Sequence, residues 1–154
     1  KIEDERREKG QEVGLVRNMR VAVDASVVID YLKQGGTGTG AGRLFLELVE
    51  REVDMEISAV TVAELYAGRS AQSGGRQRVE IDEIVGGMTI NKPSWEMAKL
   101  VGGMRYKYKL SLQDAFIAAL AIEEGMPLVT LDKKAFSRVS GIKFYGVEGR
   151  RKGE

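Results

Sequence analysis

The chain has 154 residues, 43% of them hydrophobic and 31% charged, with a formal net charge of +1, which indicates a single globular domain with a substantial core. It contains no cysteine and no histidine, which excludes disulfides, thiolate nucleophiles, Ser-His-Asp triads and histidine-bound metals. Hydrolytic chemistry would therefore depend on carboxylates, lysine, tyrosine, hydroxyls or a hard metal ion bound by oxygen.

Two polar segments flank the predicted domain. Residues 1–18 are dense in charges, whereas an apolar strand pattern begins at Met19. We predict a charged N-terminal extension over 1–18, a domain over 19–147 and a basic tail over 148–154. The longest apolar runs are far shorter than the roughly 20 residues that span a bilayer, and the chain does not begin with the apolar segment of a signal peptide. We therefore expect a cytoplasmic protein without membrane association.

Strands and helices alternate along the predicted domain. In chain order the pattern predicts a strand over 20–24, a helix over 25–33, a glycine-rich loop over 34–42, a helix over 43–53, a strand over 54–59, helices over 60–70 and 76–86, a strand over 87–92, helices over 93–108 and 110–125, a strand over 126–131, a helix over 132–139 and a strand over 141–147. Apolar strands separated by helices are typical of a parallel sheet covered on both faces. The predicted fold class is α/β.

The loop "GGTGTGAG" over 35–42 is similar to a phosphate-binding loop in its glycine content. A P-loop, however, ends in Gly-Lys-Ser/Thr, whereas Gly42 is followed by Arg43. We interpret this segment as a flexible connector.

Four carboxylates fall near one edge of the predicted sheet. Asp24 follows the first strand, and Asp132 follows the strand over 126–131. Glu64 lies early in the helix after the second strand, and Asp114 lies near the start of the apolar helix over 110–125. Sites in open parallel sheets lie beyond the carboxyl ends of the strands. We therefore expect these side chains to share a site.

Helix capping is the alternative explanation for each acid. Asp24 and Asp132 could be N-caps, and Glu64 and Asp114 could complete capping boxes that begin at Thr61 and Ser111. Four clustered acids would, however, repel one another and lose solvation unless a cation joined them. Carboxylates without nitrogen or sulfur ligands favour Mg²⁺ or Mn²⁺, and such ions activate water for phosphodiester hydrolysis. Asp114 would then be a ligand that its buried helix holds in place.

Four segments, "VAVDASVVIDYL", "ISAVTVAELYAG", "LSLQDAFIAALA" and "PLVTLDKKAF", resemble in order and spacing the sequence blocks of PIN-domain ribonucleases, especially VapC-type toxins of toxin–antitoxin pairs. The resemblance covers roughly residues 20–147. It implies a three-layer α/β/α sandwich with a central parallel sheet of about five strands, a homodimer, and Mg²⁺- or Mn²⁺-dependent endonucleolytic cleavage of RNA. It also implies a VapB-like antitoxin, a segment of which occupies the active-site groove.

The resemblance also assigns roles to individual residues. The catalytic acids it implies are Asp24, Glu64, Asp114 and Asp132. Asp24 and Asp114 are the pair most directly associated with metal, and the hydroxyls that support the site are those of Ser26 and Thr130.

The chain departs from the family pattern at two places. Lys134 and Ala135 stand in the block where many relatives carry a further acid or asparagine, and Ile117 stands where some carry a second acid. These departures argue against a second bound metal more than against nuclease activity.

Basic residues accompany the acids along the chain. Those that could contact RNA phosphates are Arg69, Arg76, Arg78, Arg105, Lys107, Lys109 and Lys133. We predict RNA contacts for Arg69, Arg105, Lys107 and Lys133, and Tyr106 or Tyr108 could stack on an unpaired base. A solvated charged face is the alternative interpretation.

Two groups of apolar residues have two interpretations each. Trp95, Met97 and Leu100 follow helical spacing and belong to the core or to a dimer interface. Tyr31, Phe45 and Leu48 belong to the core or to an antitoxin groove.

The leading functional hypothesis is a toxin that acts as a metal-dependent RNA endonuclease. The alternatives are an RNA-processing nuclease of the same fold without an antitoxin, and a non-catalytic RNA-binding or interaction module. A phosphorelay receiver would need an acidic pair beside the first strand and an acid after a middle strand, whereas Asp24 follows Val23 and "GMTINK" ends without an acid.

Overall fold

The computed structural model describes residues 19–34 and 40–146. Strands β1 to β4 span Arg20–Val23, Asp54–Ser58, Thr89–Asn91 and Leu128–Val129. Helices α1 to α8 span Ala25–Lys33, Ala41–Glu50, Ala59–Tyr66, Arg69–Gln72, Arg76–Gly86, Trp95–Tyr108, Leu112–Glu123 and Lys133–Phe136. The predicted extension, the predicted tail and residues 35–39 of the glycine-rich loop lie outside the described residues. Within the described ranges, every helix is too short or too polar to cross a membrane.

The four strands form one parallel sheet in the order β3-β2-β1-β4. After β1 the chain adds β2 and β3 on one side, and it then returns to place β4 on the other side of β1. Strand order therefore reverses between β1 and β4. In open parallel sheets, the crevice at such a switch point is where ligands bind. The carboxyl ends of these two strands are Val23 and Val129.

Side chains alternate between the two faces of the sheet and build two separate cores. Val21 and Val23 point into one core, which is closed by helices α1 to α5. Ala22, between them, points into the second core, which is closed by α6, α7 and α8. Both faces of the sheet are thus covered by helices. The predicted α/β/α sandwich is confirmed.

Helix α7 is the most deeply buried helix and carries Asp114 in its first turn. Its buried residues are Ala115, Ile117, Ala118, Ala119, Leu120 and Ala121. It contacts α6, β1 and β2, so apolar neighbours surround it. Ser111 caps its start, and Gly125, with a φ of 63°, ends it in a conformation that favours glycine. The helix that carries Asp114 is thereby fixed along its whole length.

The fifth strand predicted over 141–147 is wrong. Its described part forms only an isolated parallel bridge, between Phe144 and Leu128. Gly141 and Gly146, with φ values of 89° and 78°, stand on either side of this bridge in a conformation that favours glycine and is not that of a strand. The described residues therefore form a sheet of four strands.

Other predicted boundaries also shift. The strand predicted over 126–131 shortens to Leu128–Val129, because its partner β1 ends at Val23 and Pro127 has no N–H to donate. Helix α2 begins at Ala41, so the end of the predicted loop over 34–42 is helical.

The apolar residues of uncertain role divide between core and surface. Phe45 and Leu48 are buried in the first core, and the ring of Tyr31 meets that of Phe45 edge-on at 5.0 Å. Met97 and Leu100 pack on the second core, as core residues do. Trp95 is 77% exposed, so the core interpretation is wrong for Trp95.

Ile117 tests how far the fold depends on the burial of α7. Its side chain is fully buried, so Ile117→Ala should lower the free energy of unfolding by about 2–5 kcal/mol through lost burial and a residual cavity. Leu112→Ala, on the same helix but 48% exposed, should change it by less than about 0.5 kcal/mol. Urea denaturation measures both. Equal effects of the two substitutions would contradict the central position of α7.

Candidate active site

Asp24 is a buried carboxylate at the carboxyl end of β1. It occupies the N-cap position of α1, but its side chain makes no capping hydrogen bond. Instead its Oδ2 accepts hydrogen bonds from Ser26 Oγ at 2.7 Å and from Thr130 Oγ1 at 2.8 Å. The residue is only 6% exposed. The capping explanation is therefore wrong for Asp24.

The two hydroxyls that donate to Asp24 also hold the turn after β4. Ser26 Oγ accepts from Leu131 N at 3.1 Å, and Thr130 Oγ1 accepts from Asp132 N at 3.0 Å. Each hydroxyl thus joins the Asp24 carboxylate to the backbone after β4. The start of α1 and the start of α8 are linked through these two side chains.

Asp132 lies at the start of α8 and is exposed. Its Oδ1 accepts a hydrogen bond from Ala135 N at 3.2 Å, which makes it the N-cap of that short helix. The capping interpretation is confirmed for this oxygen. It is compatible with a role in the site, because a carboxylate has two oxygens and about four acceptor positions.

Asp114 lies in the first turn of α7, where Ser111 Oγ accepts from its backbone N at 3.1 Å. Partial burial and the negative charge of Asp24 raise the pKa of its carboxyl group. The charge of Asp132 raises this pKa further, while a hydrogen bond with Ser111 opposes the shift. Asp114 therefore lies within the electrostatic field of two other acids.

Glu64 lies on α3 and is half-buried. Burial is the main cause that raises the pKa of its carboxyl group, followed by the charges of Asp24 and Asp114. Helix α3 begins one turn earlier than the predicted capping box requires. Ser58 is its N-cap, with Oγ accepting from Val60 N at 3.2 Å, and Thr61 is buried, so that capping box is wrong.

Four carboxylates from distant parts of the chain, called the carboxylate cluster below, are linked by electrostatic repulsion, although among the described residues no three acids lie close enough together to hold one metal ion. Asp24 acts on both Glu64 and Asp114, and Asp132 acts on Asp114. Each interaction disfavours a second negative charge. Within residues 19–34 and 40–146, none of the four forms an ion pair with a lysine or arginine. The cluster therefore concentrates negative charge at the switch point of the sheet.

The donor set fits a hard divalent cation bound partly through water. Among the described side chains, no three carboxylates are close enough together to enclose an ion directly. Mg²⁺ in proteins typically keeps several waters and takes only one or two carboxylates directly. Asp24, which two hydroxyls orient, and Asp114, which a buried helix fixes, are suited to that direct role.

The four basic residues assigned to RNA each lie next to a site element in the chain. Arg69 begins α4, directly after the helix of Glu64, and Lys133 follows Asp132. Arg105 and Lys107 lie in the last turn of α6, before the helix of Asp114. Lys107 Nζ lies 5.1 Å from the Tyr108 ring centroid, and Lys133 Nζ lies 5.9 Å from that of Phe144. Their RNA contacts remain predictions.

Other basic residues near the site already have partners. Arg76 Nε lies 3.0 Å from Glu80 Oε1, and the guanidinium of Arg78 lies 5.3 Å from the Tyr66 ring centroid.

Arg43 and Lys134, which the sequence did not identify as candidate binding residues, line a groove that includes Thr130 and Asp132. Arg43 comes from α2, far along the chain from the turn after β4. No motif joins these positions, so only the folded chain places them together.

A parallel α/β sandwich with clustered carboxylates at its switch point defines the class of this protein. Residues 21–142 match the PIN domain family, and this match covers most of the chain. The chain belongs to the PIN domain family. No curated protein is similar enough in sequence to count as a relative.

Solved structures with the same fold include toxin–antitoxin proteins. A chain of VapBC2 from Rickettsia felis, bound to a promoter DNA fragment, has 19% identity and a TM-score of 0.65 over 82% of this chain and 97% of that one. A toxin–antitoxin complex from Klebsiella pneumoniae has 25% identity and a TM-score of 0.62 over 79% and 94%. Mycobacterium tuberculosis VapC20, a toxin that cleaves the sarcin-ricin loop, has 16% identity and a TM-score of 0.61 over 80% and 97%. The chain has the fold of VapC-type toxins.

Asp114→Asn tests the electrostatic cluster without reference to catalysis. Because the folded-state pKa of Asp114 lies above its ordinary value of 3.8, its contribution to stability is complete below that value and is lost as pH rises through the folded pKa. In chelator, Asp114→Asn should therefore have a higher free energy of unfolding than wild type at about pH 7, and the difference should shrink towards about pH 3.

Urea denaturation across this pH range makes that measurement. Asp54→Asn, at an exposed carboxylate at the start of β2, is the matched control for the change from carboxylate to amide. If Asp114→Asn were less stable than wild type at neutral pH in chelator, the repulsion between these acids would be ruled out.

Thr130→Val tests the hydroxyl that supports Asp24. Valine keeps the shape of threonine but cannot donate to Asp24 or accept from Asp132 N, so the free energy of unfolding should fall by about 1–3 kcal/mol. Thr130→Ser, which keeps the hydroxyl, should retain most of the wild-type free energy of unfolding. Thr89→Val, at an exposed threonine of β3, should change it by less than about 0.5 kcal/mol. Urea denaturation distinguishes them, and a harmless Thr130→Val would show that the two hydrogen bonds stabilise little.

Proposed function

We propose that this protein is a metal-dependent endoribonuclease and the toxin of a toxin–antitoxin pair. The match to the PIN domain family supports the proposal most directly, together with the burial and mutual repulsion that raise the pKa values of Glu64 and Asp114. The carboxylate cluster is unfavourable without a cation and is suited to phosphodiester hydrolysis with one.

The comparisons support the substrate class and the partner. VapC20, which has the same fold, is a toxin that cleaves the sarcin-ricin loop, and the Klebsiella protein with 25% identity was solved as a toxin–antitoxin complex. We infer from these that RNA is the substrate and that a VapB-like antitoxin is the partner. We also propose that residues 19–147 form the nuclease domain and that the domain forms a homodimer.

Each acid has a proposed role. Asp24 and Asp114 would hold a Mg²⁺ or Mn²⁺ ion directly, while Glu64 and Asp132 would accept hydrogen bonds from the waters around it. When bound, such an ion lowers the pKa of a coordinated water and stabilises the charge that develops on the phosphodiester. Ser26 and Thr130 keep the Asp24 carboxylate oriented towards the crevice, since both donate to its Oδ2.

The side chains at the base of the site are shielded from bulk water, whereas those at its mouth are not. Thr130 and Asp24 are buried, which keeps their hydrogen bonds out of competition with bulk water. Asp132 and Glu64 remain accessible at the side from which RNA would approach. The site therefore combines a fixed, dry base with an open, hydrated mouth.

Cleavage assays on purified, partner-free protein test this proposal. A mixed pool of structured RNAs is incubated with Mg²⁺, with Mn²⁺ or with chelator. Wild type should produce discrete cuts only with a metal. Asp24→Asn and Asp114→Asn should lower the rate by about a hundredfold or more, because each removes the charge of a metal ligand while keeping its shape.

Asp54→Asn, which makes the same chemical change far from the site, should cleave at the wild-type rate. Metal-dependent cleavage by Asp24→Asn or Asp114→Asn at the wild-type rate would refute the assignment of these residues. Cleavage that persists in chelator would refute the metal dependence.

A further inference from the structure

A groove of about 620 Å³ adjoins the carboxylate cluster. Thr130 and Asp132 line both the groove and the acidic site, so a chain bound across the acids would continue into the groove. One wall is the first turn of α2, the opposite wall is the turn between β4 and α8, and Tyr145 also lines the groove. Its volume lies in the range typical of ligand-binding clefts.

The walls of this groove carry basic side chains. Arg43 projects from α2, and Lys133 and Lys134 project from α8, all three exposed. In the part of the chain that the structure describes, none of the three forms an ion pair with a carboxylate. Glu47, the acid on the α2 wall, lies 3.7 Å from Arg51 NH1. The groove therefore presents cations directly beside an acidic centre.

This charge pattern fits a phosphodiester chain. A phosphate at the carboxylate cluster needs a metal ion, whereas the neighbouring phosphates along the same chain need only a basic surface. The acids at the switch point would bind the metal ion, and the basic side chains in the groove provide the basic surface. A neutral or cationic ligand would gain nothing from Arg43 and Lys134.

The groove also contains surfaces suited to bases. Leu44 and Leu131 line it, and Leu131 is 48% exposed although its backbone N is held by Ser26 Oγ at 3.1 Å. Tyr145 is fixed at both ends: its hydroxyl accepts from Arg51 at 3.1 Å, and its backbone N donates to Leu128 O at 2.9 Å. Tyr145 also packs against the first core and is only partly buried, and an aromatic ring held in this way can stack on an unpaired base.

We propose that this groove binds unpaired RNA next to the scissile phosphate, with Arg43 and Lys134 contacting phosphates and Tyr145 stacking on a base. The inference rests on the proposed function, since it concerns the path of that same substrate. The groove selects single-stranded segments, because bases inside a duplex cannot reach Tyr145 or Leu131. Arg43, Lys134 and Tyr145 are positioning residues that act on binding.

The first test measures RNA binding without cleavage. Fluorescence anisotropy in chelator compares a labelled mixed-sequence single-stranded RNA with its duplex. Arg43→Gln and Lys134→Gln should each weaken single-strand binding several-fold and reduce the slope of log affinity against log salt by about 0.7. Lys99→Gln makes the same change of charge at an exposed position of α6 outside the groove, and should alter neither the affinity nor the salt dependence.

Tyr145 provides a second binding test. Tyr145→Leu should weaken single-strand binding about fivefold or more, whereas Tyr145→Phe, which keeps the ring, should bind nearly as wild type does. Duplex binding should respond to neither. Single-strand affinity that is unchanged in both Arg43→Gln and Lys134→Gln would overturn the inference. Duplex binding that is as tight as single-strand binding and equally dependent on Arg43 would do so too.

Cleavage with metal separates this inference from the proposed function. Arg43→Gln should raise KM and leave kcat nearly unchanged, because its contact is the same in the ground and transition states. Metal-dependent cleavage by wild type, with unchanged KM and binding in the groove variants, would reject the groove and keep the nuclease. A wild type that never cleaves, but whose single-strand binding still depends on Arg43 and Lys134, would reject the nuclease and keep the groove.

Discussion

The pair of hydrogen bonds from Ser26 and Thr130 to the buried carboxylate of Asp24 is the constraint on which the site depends. A carboxylate that is 6% exposed has lost most of its solvation, and charge-assisted hydrogen bonds compensate for part of that cost. The two donors come from opposite ends of the chain, so they meet only if β1 and β4 are neighbours. The strand order that creates the switch point and the orientation of Asp24 are thus one requirement.

Helix α7 imposes the second requirement, because it cannot move to relieve the repulsion at its first turn. Its apolar residues are buried along its length, and displacing it would open the second core. Asp114 is therefore held near Asp24 at a cost in stability that the core offsets. Such a cost is typical of sites whose geometry serves binding or catalysis more than folding.

The parts of the fold that the sequence predicts are those with strong local signals. Apolar periodicity located α7 and β1. The prediction of a fifth strand was wrong because a strand needs a neighbouring strand to pair with, and β4, its neighbour, has only two residues. Asp24 could not be separated from an N-cap by sequence, since a helix start and a ligand position use the same residue type. Arg43 carries no local signal, because only tertiary packing brings α2 beside the turn after β4.

Two buried carboxylates of the same sheet, Glu56 and Asp24, are stabilised in different ways. Glu56, in the middle of β2, is 5% exposed, and Arg20, at the start of β1 and also 3.5 Å from Glu124, pairs with it. The chain thus neutralises one buried carboxylate with its own guanidinium. At the carboxyl end it gathers four acids and, among the described residues, places no lysine or arginine in ion-pair contact with them. The fold therefore neutralises Glu56 with a guanidinium, whereas the repulsion between Asp24 and Asp114 has no described lysine or arginine in ion-pair contact to offset it.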